Sequence, residues 1–364
     1  MTTSSAIKIK ETLHNALASI ETFEQCALLD YPHHANVGDN LIWLGEIFYL
    51  TDVLKTKINY ASSIENFSDT EMNKSVGKSP IFLHGGGNLG DIWPKFQNFR
   101  EQIISKYHDR PIIIFPQTVY FANHDNLLAT ANIFNSHPKL MIFVRDNFSY
   151  KIAQKYFDKC QVIKAPDMAF QLAGMPGLSG NINHQNKKNI LYQCRQDIEI
   201  NQIFASDFIN DLSDLFIEDW TSYKYRNYYQ KMGKMWRLAE ISECWKEGKV
   251  ISPEFISRQI WKYLHSSAAK FTNLYNPRIH RKSFGLMHMG VYQFNQYRLI
   301  ITNRLHGHIL CTLMNIPHIF LPNSYYKNES FYEDWTYSNQ SCRFIKDPRR
   351  IQLSAQELLD LFVT

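Results

Sequence analysis

Short apolar runs, each followed by a cluster of polar residues, constrain the fold of this chain more than any other feature. The runs lie at residues 26–30, 80–84, 111–115, 140–144, 189–193, 298–302 and 317–321, and helix-like stretches separate most of them. Apolar runs without polar alternation are typical of strands buried on both faces, and intervening helices are typical of parallel sheets. The sequence therefore predicts an α/β protein.

The length of 364 residues and one stretch rich in Gly and Asn indicate two domains. Domains commonly hold about 100–200 residues, and residues 171–189 have the composition of a linker. We predict an N-terminal domain over residues 1–175 and a C-terminal domain over residues 188–345. A final helix is expected over residues 353–364, opened by a capping box at Ser354.

The cysteine pattern and the apolar segments indicate a cytoplasmic protein. Six Cys are scattered without a C-x-x-C pair, which argues against a disulfide scaffold or a structural zinc site. The first thirty residues contain no signal-peptide core. No run of about 18 uncharged apolar residues is present, so no membrane span is expected.

Residues 222–284 form a basic segment that interrupts the second α/β unit. Its 13 Lys and Arg against four acids give a net charge of +9, larger than the +5 of the whole chain. One interpretation is a helical insertion whose aromatic residues pack onto the domain beneath it. The other is a surface for an anionic partner, such as an acidic acceptor or lipid head groups at the inner face of the plasma membrane. No nucleic-acid-binding signature is present.

Polar clusters follow the predicted strands, and ligands of open parallel sheets bind beyond the carboxyl ends of the strands. The clusters lie at residues 36–39, 84–91, 116–118, 145–147, 165–167 and 303–308. In the second of them, glycines with Gly86 and Gly87 among them precede Asn88, and their backbone N–H groups are suited to surround a phosphate. A tight strand-to-helix turn is the simpler interpretation, and the formal G-x-G-x-x-G match is weak evidence for a dinucleotide.

The sequence Arg304-Leu305-His306 is the sharpest candidate site. It follows a predicted strand and opens a helix, where backbone donors favour an anion. Arginine can hold a carboxylate or phosphate through two parallel hydrogen bonds, and histidine can carry a proton near neutral pH. His308 is expected to pack or cap. Arg145 is either a second anion anchor or the partner of a nearby aspartate.

These motifs resemble those of the polysaccharide pyruvyl transferase family. In chain order they are Asn36-x-Gly38-Asp39, Gly85-Gly86-Gly87-Asn88, Pro116-Gln117-Thr118, Arg145-Asp146-x-x-Ser149, Pro166-Asp167-x-Ala169-Phe170 and Arg304-Leu305-His306-Gly307. Each is short, but six in the family's order are specific. Residues 36–46 are especially similar to exopolysaccharide-type members, whereas the basic segment matches no family motif.

The resemblance implies two Rossmann-like domains that face each other across a cleft in a glycosyltransferase-B-like arrangement. It implies phosphoenolpyruvate as a co-substrate and a glycan acceptor that can be lipid-linked, without a cofactor or metal. His306 is then the general acid, and Asp39 is a base or orients the acceptor, unless it caps its helix. The expected donor contacts are Arg304, Leu305, Arg145, Gly86, Gly87 and Asn88. The expected acceptor contacts are Asn36, Asp39 and Gln117.

Two other functions stay open at this point. A nucleotide-sugar-dependent glycosyltransferase of the same architecture would need an acid for the ribose, and Glu329 or Glu333 could supply it. A non-catalytic protein could bind anionic glycans through the basic segment. The sequence is compatible with a homo-oligomer, and it does not encode the acceptor sugar or the positions and stereochemistry of the ketal.

Overall fold

The computed structural model of the protein describes residues 4–179, 188–193, 202–204, 215–220 and 253–362. The strands are β1 (Gln25–Leu29), β2 (Lys57–Ser62), β3 (Ile81–Leu83), β4 (Gly86–Gly90), β5 (Ile112–Tyr120), β6 (Leu140–Val144), β7 (Gln161–Lys164), β8 (Lys188–Gln193), β9 (Leu215–Glu218), β10 (Tyr297–Thr302), β11 (His318–Phe320) and β12 (Cys342–Phe344). The helices are α1 (Ser5–Leu17), α2 (Val37–Phe48), α3 (Asp69–Val76), α4 (Pro94–Lys106), α5 (His124–Ser136), α6 (Asn147–Tyr156), α7 (Pro253–Leu264), α8 (Pro277–Phe294), α9 (Leu305–Met314), α10 (Lys327–Phe331) and α11 (Ile351–Phe362).

The strands form two parallel sheets. The first has the order β2-β1-β3-β5-β6-β7, with β4 also paired to β5, and the second has the order β12-β11-β10-β8-β9. Parallel neighbours require crossover connections, which the intervening helices provide. The α/β prediction is confirmed, and two such sheets are consistent with two Rossmann-like domains.

Both faces of each sheet are buried. In β6, Ile142 and Val144 belong to one hydrophobic cluster, while Phe143 between them belongs to the cluster on the opposite face. In β10, Ile301 and Ile300 are divided in the same way. Because successive side chains of a strand point to opposite faces, a strand covered on both sides reads as a continuous apolar run.

The glycine run is a strand rather than a turn that leads into a helix, which corrects the expectation from the sequence. Gly86–Gly90 forms β4 and pairs with β5. A Cβ atom at Gly85 would lie 2.8 Å from the carbonyl oxygen of Pro116, and one at Gly90, whose φ is +135°, would overlap the backbone of Tyr120. The glycines therefore allow two backbones to approach each other more closely than side chains would permit.

Helix α2 packs against elements from both halves of the molecule. A Cβ atom at Gly290 of α8 would lie 2.7 Å from Cγ1 of Val37 in α2. The indole Nε1 of Trp43 in α2 donates to Nδ1 of His280 in α8 at 3.2 Å. On the other side, Gly45 lies directly against the backbone of Met168. Helix α2 is thus fixed along its length by elements from both halves.

The chain after β11 returns to the first sheet. Trp335 Nε1 donates to the carbonyl oxygen of Arg145 at 2.8 Å. The carboxylate of Asp334 accepts from the backbone N–H of Asn147 at 2.7 Å and lies 3.0 Å from Nζ of Lys164. Residues 325–336, which sequence reasoning places in the second domain, therefore pack on the first.

Other predicted boundaries differ from those of the structure or fall outside the described residues. The C-terminal helix begins at Ile351, so Ser354 lies inside it, and Asp347 caps the preceding short turn by accepting from the N–H of Arg349 at 3.1 Å. Of the predicted basic segment, residues 222–252 lie outside the described residues. In the described part of the chain, no helix is both long and apolar enough to cross a bilayer.

Candidate active site

A cavity of about 270 Å³ opens where the carboxyl ends of strands from both sheets meet. Residues after β1, β3 and β6 form one wall, and residues after β9, β10 and β11 form the other. Its lining comprises Asp30, Pro32, His34, Asn36, Asp39, His84, Gly85, Gly87, Asn88, Trp93, Phe96, Arg145, Trp220, Arg304, Leu305, His306 and Lys327. Most of the polar clusters that follow the predicted strands thus converge on one site.

The His306 ring lies directly against Gly38 at the start of α2. A Cβ atom at Gly38 would be 2.5 Å from Nδ1 and 2.7 Å from Cβ of His306. The turn that presents Gly38 is capped by Asn36, whose Oδ1 accepts from the Gly38 N–H at 3.0 Å and whose Nδ2 donates to Asp39 at 2.8 Å. Asn36, rather than Asp39, is therefore the helix cap.

Asp167 connects the histidine to an arginine. Its Oδ2 lies 2.5 Å from Nη1 of Arg145 and 3.4 Å from Nε2 of His306, and the carboxylate is fully buried. Burial alone would raise the pKa of Asp167, but His306 and Arg145 hold it well below its usual value. A permanent negative charge therefore faces the imidazole of His306.

Arg145 and Lys327 bring two cations close to Gly87 in one corner of the cavity. The guanidinium of Arg145 donates through Nε to Thr118 at 2.9 Å, and its Nη2 lies toward Gly87. A Cβ atom at Gly87 would be 2.9 Å from that Nη2 and 3.8 Å from Nζ of Lys327. Glycine at this position keeps the space in front of both cations open.

Asn88 is oriented by two buried residues. Its Oδ1 accepts from Arg100 at 2.7 Å and from Gln117 at 3.0 Å, and its backbone N–H donates to Gln117 at 3.3 Å. Because Oδ1 is occupied, Asn88 can offer a ligand only the protons of its Nδ2. Gln117 is fully buried and does not line the cavity, so it positions Asn88 instead of making the expected acceptor contact.

Arg304 is held by Asp219, which follows β9. The Nε and Nη2 atoms of Arg304 lie 2.5 and 2.6 Å from the two carboxylate oxygens, so one edge of the guanidinium is fixed. Arg304 also precedes α9, and Leu305 and His306 open that helix on the cavity wall. The helix N-terminus and the arginine add positive potential at the same point.

A buried acid–histidine pair lies under the first wall. Nδ1 of His84 is 2.9 Å from Oε2 of Glu46, and Glu46 also accepts from the N–H of Gly85 at 2.7 Å. Burial lowers the pKa of His84, but the Glu46 carboxylate raises it above its usual value. Nε2 of His84 has no hydrogen-bond partner among the described residues, and His84 lines the cavity.

Asp30 follows β1 in a left-handed conformation, with φ of +69°. It is 3% exposed and lines the cavity, and its Oδ1 has no hydrogen-bond partner among residues that the structure describes. Burial raises the pKa of Asp30 to about 7, against the opposing effects of His84 and Arg100. A carboxyl group with this pKa can exchange a proton near neutral pH.

Sequence reasoning found some of these residues and missed others. Arg304, Leu305, His306, Arg145, Gly87, Asn88, Asn36 and Asp39 line the cavity together. Gly86 does not, because it lies behind the wall against Ile42. The missed residues are Asp30, Glu46, His84, Asp167, Asp219, Trp220 and Lys327. Asp167 was visible as a motif residue, and His84 and Glu46 lie in stretches that the sequence analysis singled out without giving either residue a role. Asp30, Asp219, Trp220 and Lys327 carry no local signal.

His308 packs, as the sequence indicates. It is fully buried, with Nδ1 2.8 Å from Nε2 of His318 and Nε2 2.9 Å from Oγ1 of Thr336. Cys342 lies near the pair, and the three ligand-type atoms lie within 4.8 Å of one another. Two nitrogens on one tetrahedral zinc would be about 3.3 Å apart with bonds of about 2.0–2.1 Å. The shorter separation is that of a hydrogen bond.

The fold and the cavity define an α/β protein with a cavity lined by charged and polar residues from both of its parallel sheets. The chain belongs to the polysaccharide pyruvyl transferase family, whose profile matches residues 36–325. The resemblance seen in the sequence is thereby confirmed.

Two curated relatives and one solved structure align over most of the chain. It is 29% identical to the Bacillus subtilis protein named "Putative pyruvyl transferase EpsO", over 94% of this chain and 95% of the relative. It is 27% identical to "Pyruvyl transferase 1" of Schizosaccharomyces pombe, over 83% of this chain and 67% of that protein. A solved protein of uncharacterised function from Klebsiella pneumoniae has the same fold, with a TM-score of 0.53 at 16% identity, covering 95% of this chain and 100% of its own.

Proposed function

We propose that this protein transfers a pyruvyl group from phosphoenolpyruvate to two hydroxyls of a sugar in a surface or exopolysaccharide precursor. The products are a cyclic ketal and phosphate. The observation that carries the proposal is the position of His306, which lies against Gly38 and Asp167 in a cavity that Arg145 and Arg304 also line. Family membership and the names of the relatives support the same reaction.

The donor is a small polyanion, and the cavity offers two places for negative charge. One anionic group binds at Gly87, between Arg145 and Lys327, with the Nδ2 protons of Asn88. The other anionic group binds where Arg304 and the N-terminus of α9 line the cavity. Arginine forks and helix N-termini are well suited to carboxylate and phosphate.

His306 acts as the general acid of the first step. His306, whose Nε2 lies 3.4 Å from the Asp167 carboxylate, donates a proton to the methylene carbon of phosphoenolpyruvate. A sugar hydroxyl oxygen bonds to C2 at the same time, so that a tetrahedral carbon carries methyl, carboxylate, phosphate and sugar oxygen. The C2–O bond to phosphate then breaks, and the phosphate leaves with the proton that the base took from the first hydroxyl. The second sugar hydroxyl bonds to C2 and closes the ring, and its proton returns to the neutral His306.

Asp30 is the base that accepts the proton of the attacking hydroxyl. Its pKa near 7 allows the ionised form at neutral pH, and it lies on the same cavity wall as His84. Asn36 and Asp39 orient the acceptor hydroxyls, since Asp39 already accepts from Asn36 at 2.8 Å and lies 3.6 Å from His34. The base assignment thus moves from Asp39 to Asp30.

Trp93 and Phe96 provide the surface for the acceptor. Both line the cavity and are partly exposed, at the start of α4. Aromatic rings offer apolar faces with a preferred stacking geometry, which suits the C–H faces of a sugar ring. The acceptor therefore enters from the side of α4.

The two sheets are proposed to belong to domains over residues 1–175 and 188–345 that face each other in a glycosyltransferase-B-like arrangement. A cavity lined from both halves supports this arrangement. The alternative of a nucleotide-sugar donor lacks its acid, because neither Glu329 nor Glu333 lines the cavity and Glu329 pairs with Lys346. A binding-only protein would retain glycan affinity after loss of Arg304 and His306.

The test uses the purified protein with phosphoenolpyruvate and a panel of methyl glycosides and lipid-linked oligosaccharides, scored for phosphate release. His306→Ala should bind phosphoenolpyruvate with an affinity within a few-fold of the wild type and lose about a thousand-fold in kcat. His124→Ala, at an exposed histidine, is the control and should retain full turnover. Near-normal kcat in His306→Ala, or no phosphate release from the wild type with any acceptor, contradicts the proposal.

A further inference from the structure

Helix α7 presents an apolar stripe to solvent. Ile256, Ile260 and Leu264 follow one another at intervals of four residues, and their side chains are 48%, 52% and 76% exposed. Tyr263 beside them is 60% exposed. Residues four apart lie on one face of a helix, so these side chains form a continuous ridge about 12 Å long.

The opposite face of α7 is polar and buried, which reverses the usual arrangement of a surface helix. Glu254 and Arg258 are 4% and 7% exposed and form an ion pair, with Nη2 3.4 Å from Oε2. The stem of Lys262 packs against Gly285 of α8, and the Trp261 ring packs 5.4 Å from that of Phe284. The helix is therefore anchored on α8, with its apolar ridge turned away from the protein.

Positive charge lies beside this ridge at Tyr263 and on the adjoining helix α8. Residues 253–284 contain six Lys and Arg and a single acid, the buried Glu254. The side chains of Lys262 and Arg281 lie 5.4 and 5.9 Å from the centre of the Tyr263 ring. Arg278 and Lys282 are exposed on α8. Apolar side chains flanked by cations with a tyrosine at the border are typical of helices that lie in a membrane interface.

We propose that α7 docks on an anionic bilayer, with Ile256, Ile260 and Leu264 inserted among the acyl chains near the head groups. The cations of α8 and Lys262 then face the lipid phosphates. A symmetric contact between two copies fits less well, because a twofold interface would bring these cations together without acids to pair them. The sequence analysis allowed a surface for an anionic partner anywhere in residues 222–284, and the proposal assigns that surface to α7 and the adjoining cations of α8. It does not depend on the reaction proposed for the cavity.

The test measures co-sedimentation of the full-length protein with vesicles of equimolar phosphatidylcholine and phosphatidylglycerol. The triple variant Ile256→Ser, Ile260→Ser, Leu264→Ser should lose at least ten-fold in the partition coefficient. The matched control Leu128→Ser, Leu353→Ser, Leu361→Ser removes three other exposed leucines, 42%, 60% and 63% exposed, and should bind as the wild type does. Arg278→Glu with Lys282→Glu should weaken binding most at low salt, because screening reduces the effect of these charges at high salt.

Pure phosphatidylcholine vesicles should bind the wild type much more weakly than the anionic ones. Equal sedimentation of the stripe variant and the wild type would overturn the proposal, as would wild-type protein that does not sediment with anionic vesicles. A wild type that is dimeric by light scattering, converted to a monomer by the stripe variant and unable to bind vesicles, would instead assign the ridge to self-association. Circular dichroism melts establish that each variant is folded.

Discussion

His306 and Gly38 are in contact across the two halves of the molecule, so closely that a single methyl group at Gly38 would overlap the imidazole. The nearest atoms include Cβ of His306, at 2.7 Å from the position of that methyl group. Rotation of the imidazole alone therefore cannot relieve the overlap. The glycine of the Asn-x-Gly-Asp motif is thus a packing requirement of the histidine.

The variant Gly38→Ala should fold and lose about a hundred-fold in kcat, because displacing a catalytic group by about 1 Å has effects of this size. Alanine is a better helix former than glycine by about 0.5–1 kcal/mol, which offsets part of the steric cost in α2. The measurement is phosphate release together with a thermal melt. In the His306→Ala background the same change should have no further effect on turnover, because both act on one group. Wild-type turnover in Gly38→Ala would contradict the conclusion that close packing against Gly38 positions the His306 imidazole.

Asp30→Asn should remove the acidic limb of the pH profile. A base must be ionised to act, so kcat/KM of the wild type should rise as the pH increases through about 7, the pKa of Asp30. Asparagine tolerates the left-handed backbone of this position, so the loss of activity, about a hundred-fold or more, does not reflect strain. Asp158→Asn, at an exposed acid, should keep the wild-type profile. If Asp30→Asn still shows the rise of kcat/KM near pH 7, the rise reports the ionisation of another group.

Glu46→Gln should destabilise the protein most at mildly acidic pH. The folded pKa of His84 is raised by Glu46, so the pair contributes stability that is fully present below the unfolded value of about 6.5 and is lost as the pH rises through the folded pKa. Removing one partner of a buried pair costs about 3–5 kcal/mol, and that difference should shrink toward about pH 9.

Denaturant unfolding of the wild type and Glu46→Gln, at mildly acidic pH and again at about pH 9, measures this difference in the free energy of unfolding. The control is Glu65→Gln, which removes the partner of Lys95 in an exposed pair and should change stability by less than about 1 kcal/mol. A difference between Glu46→Gln and the wild type that grows with increasing pH would contradict an ion pair between protonated His84 and ionised Glu46.

The central strands could be predicted from sequence because their apolar runs are strong. β6 occupies Leu140–Val144, as expected, since each of its residues is buried on one face or the other. β2 was missed because Lys57 and Asn59 interrupt its apolar residues at the edge of the sheet. β4 consists largely of glycine, for which strand propensity gives no signal.

The site was predictable only where strand ends and motifs coincide. Arg304 and His306 stand at such an end, and both line the cavity. Lys327 and Asp219 could not be found, because each reaches the site from a segment without a local signature. Glu46 lies in the last turn of α2, where a carboxylate is expected to face solvent. Its burial follows from its pairing with His84, which comes directly after β3, a relationship that only the fold establishes.

The return of residues 325–336 to the first sheet means that the chain does not divide cleanly at its linker. Trp335 and Asp334 fasten to Arg145 and Asn147 from a position far along the sequence. A chimera that exchanges the second half between relatives would therefore need a crossover point beyond residue 336, or would have to bring matching partners on both sides. The choice of crossover point in such a chimera is limited less by the connection between the sheets than by the contacts of residues 325–336 with the first sheet.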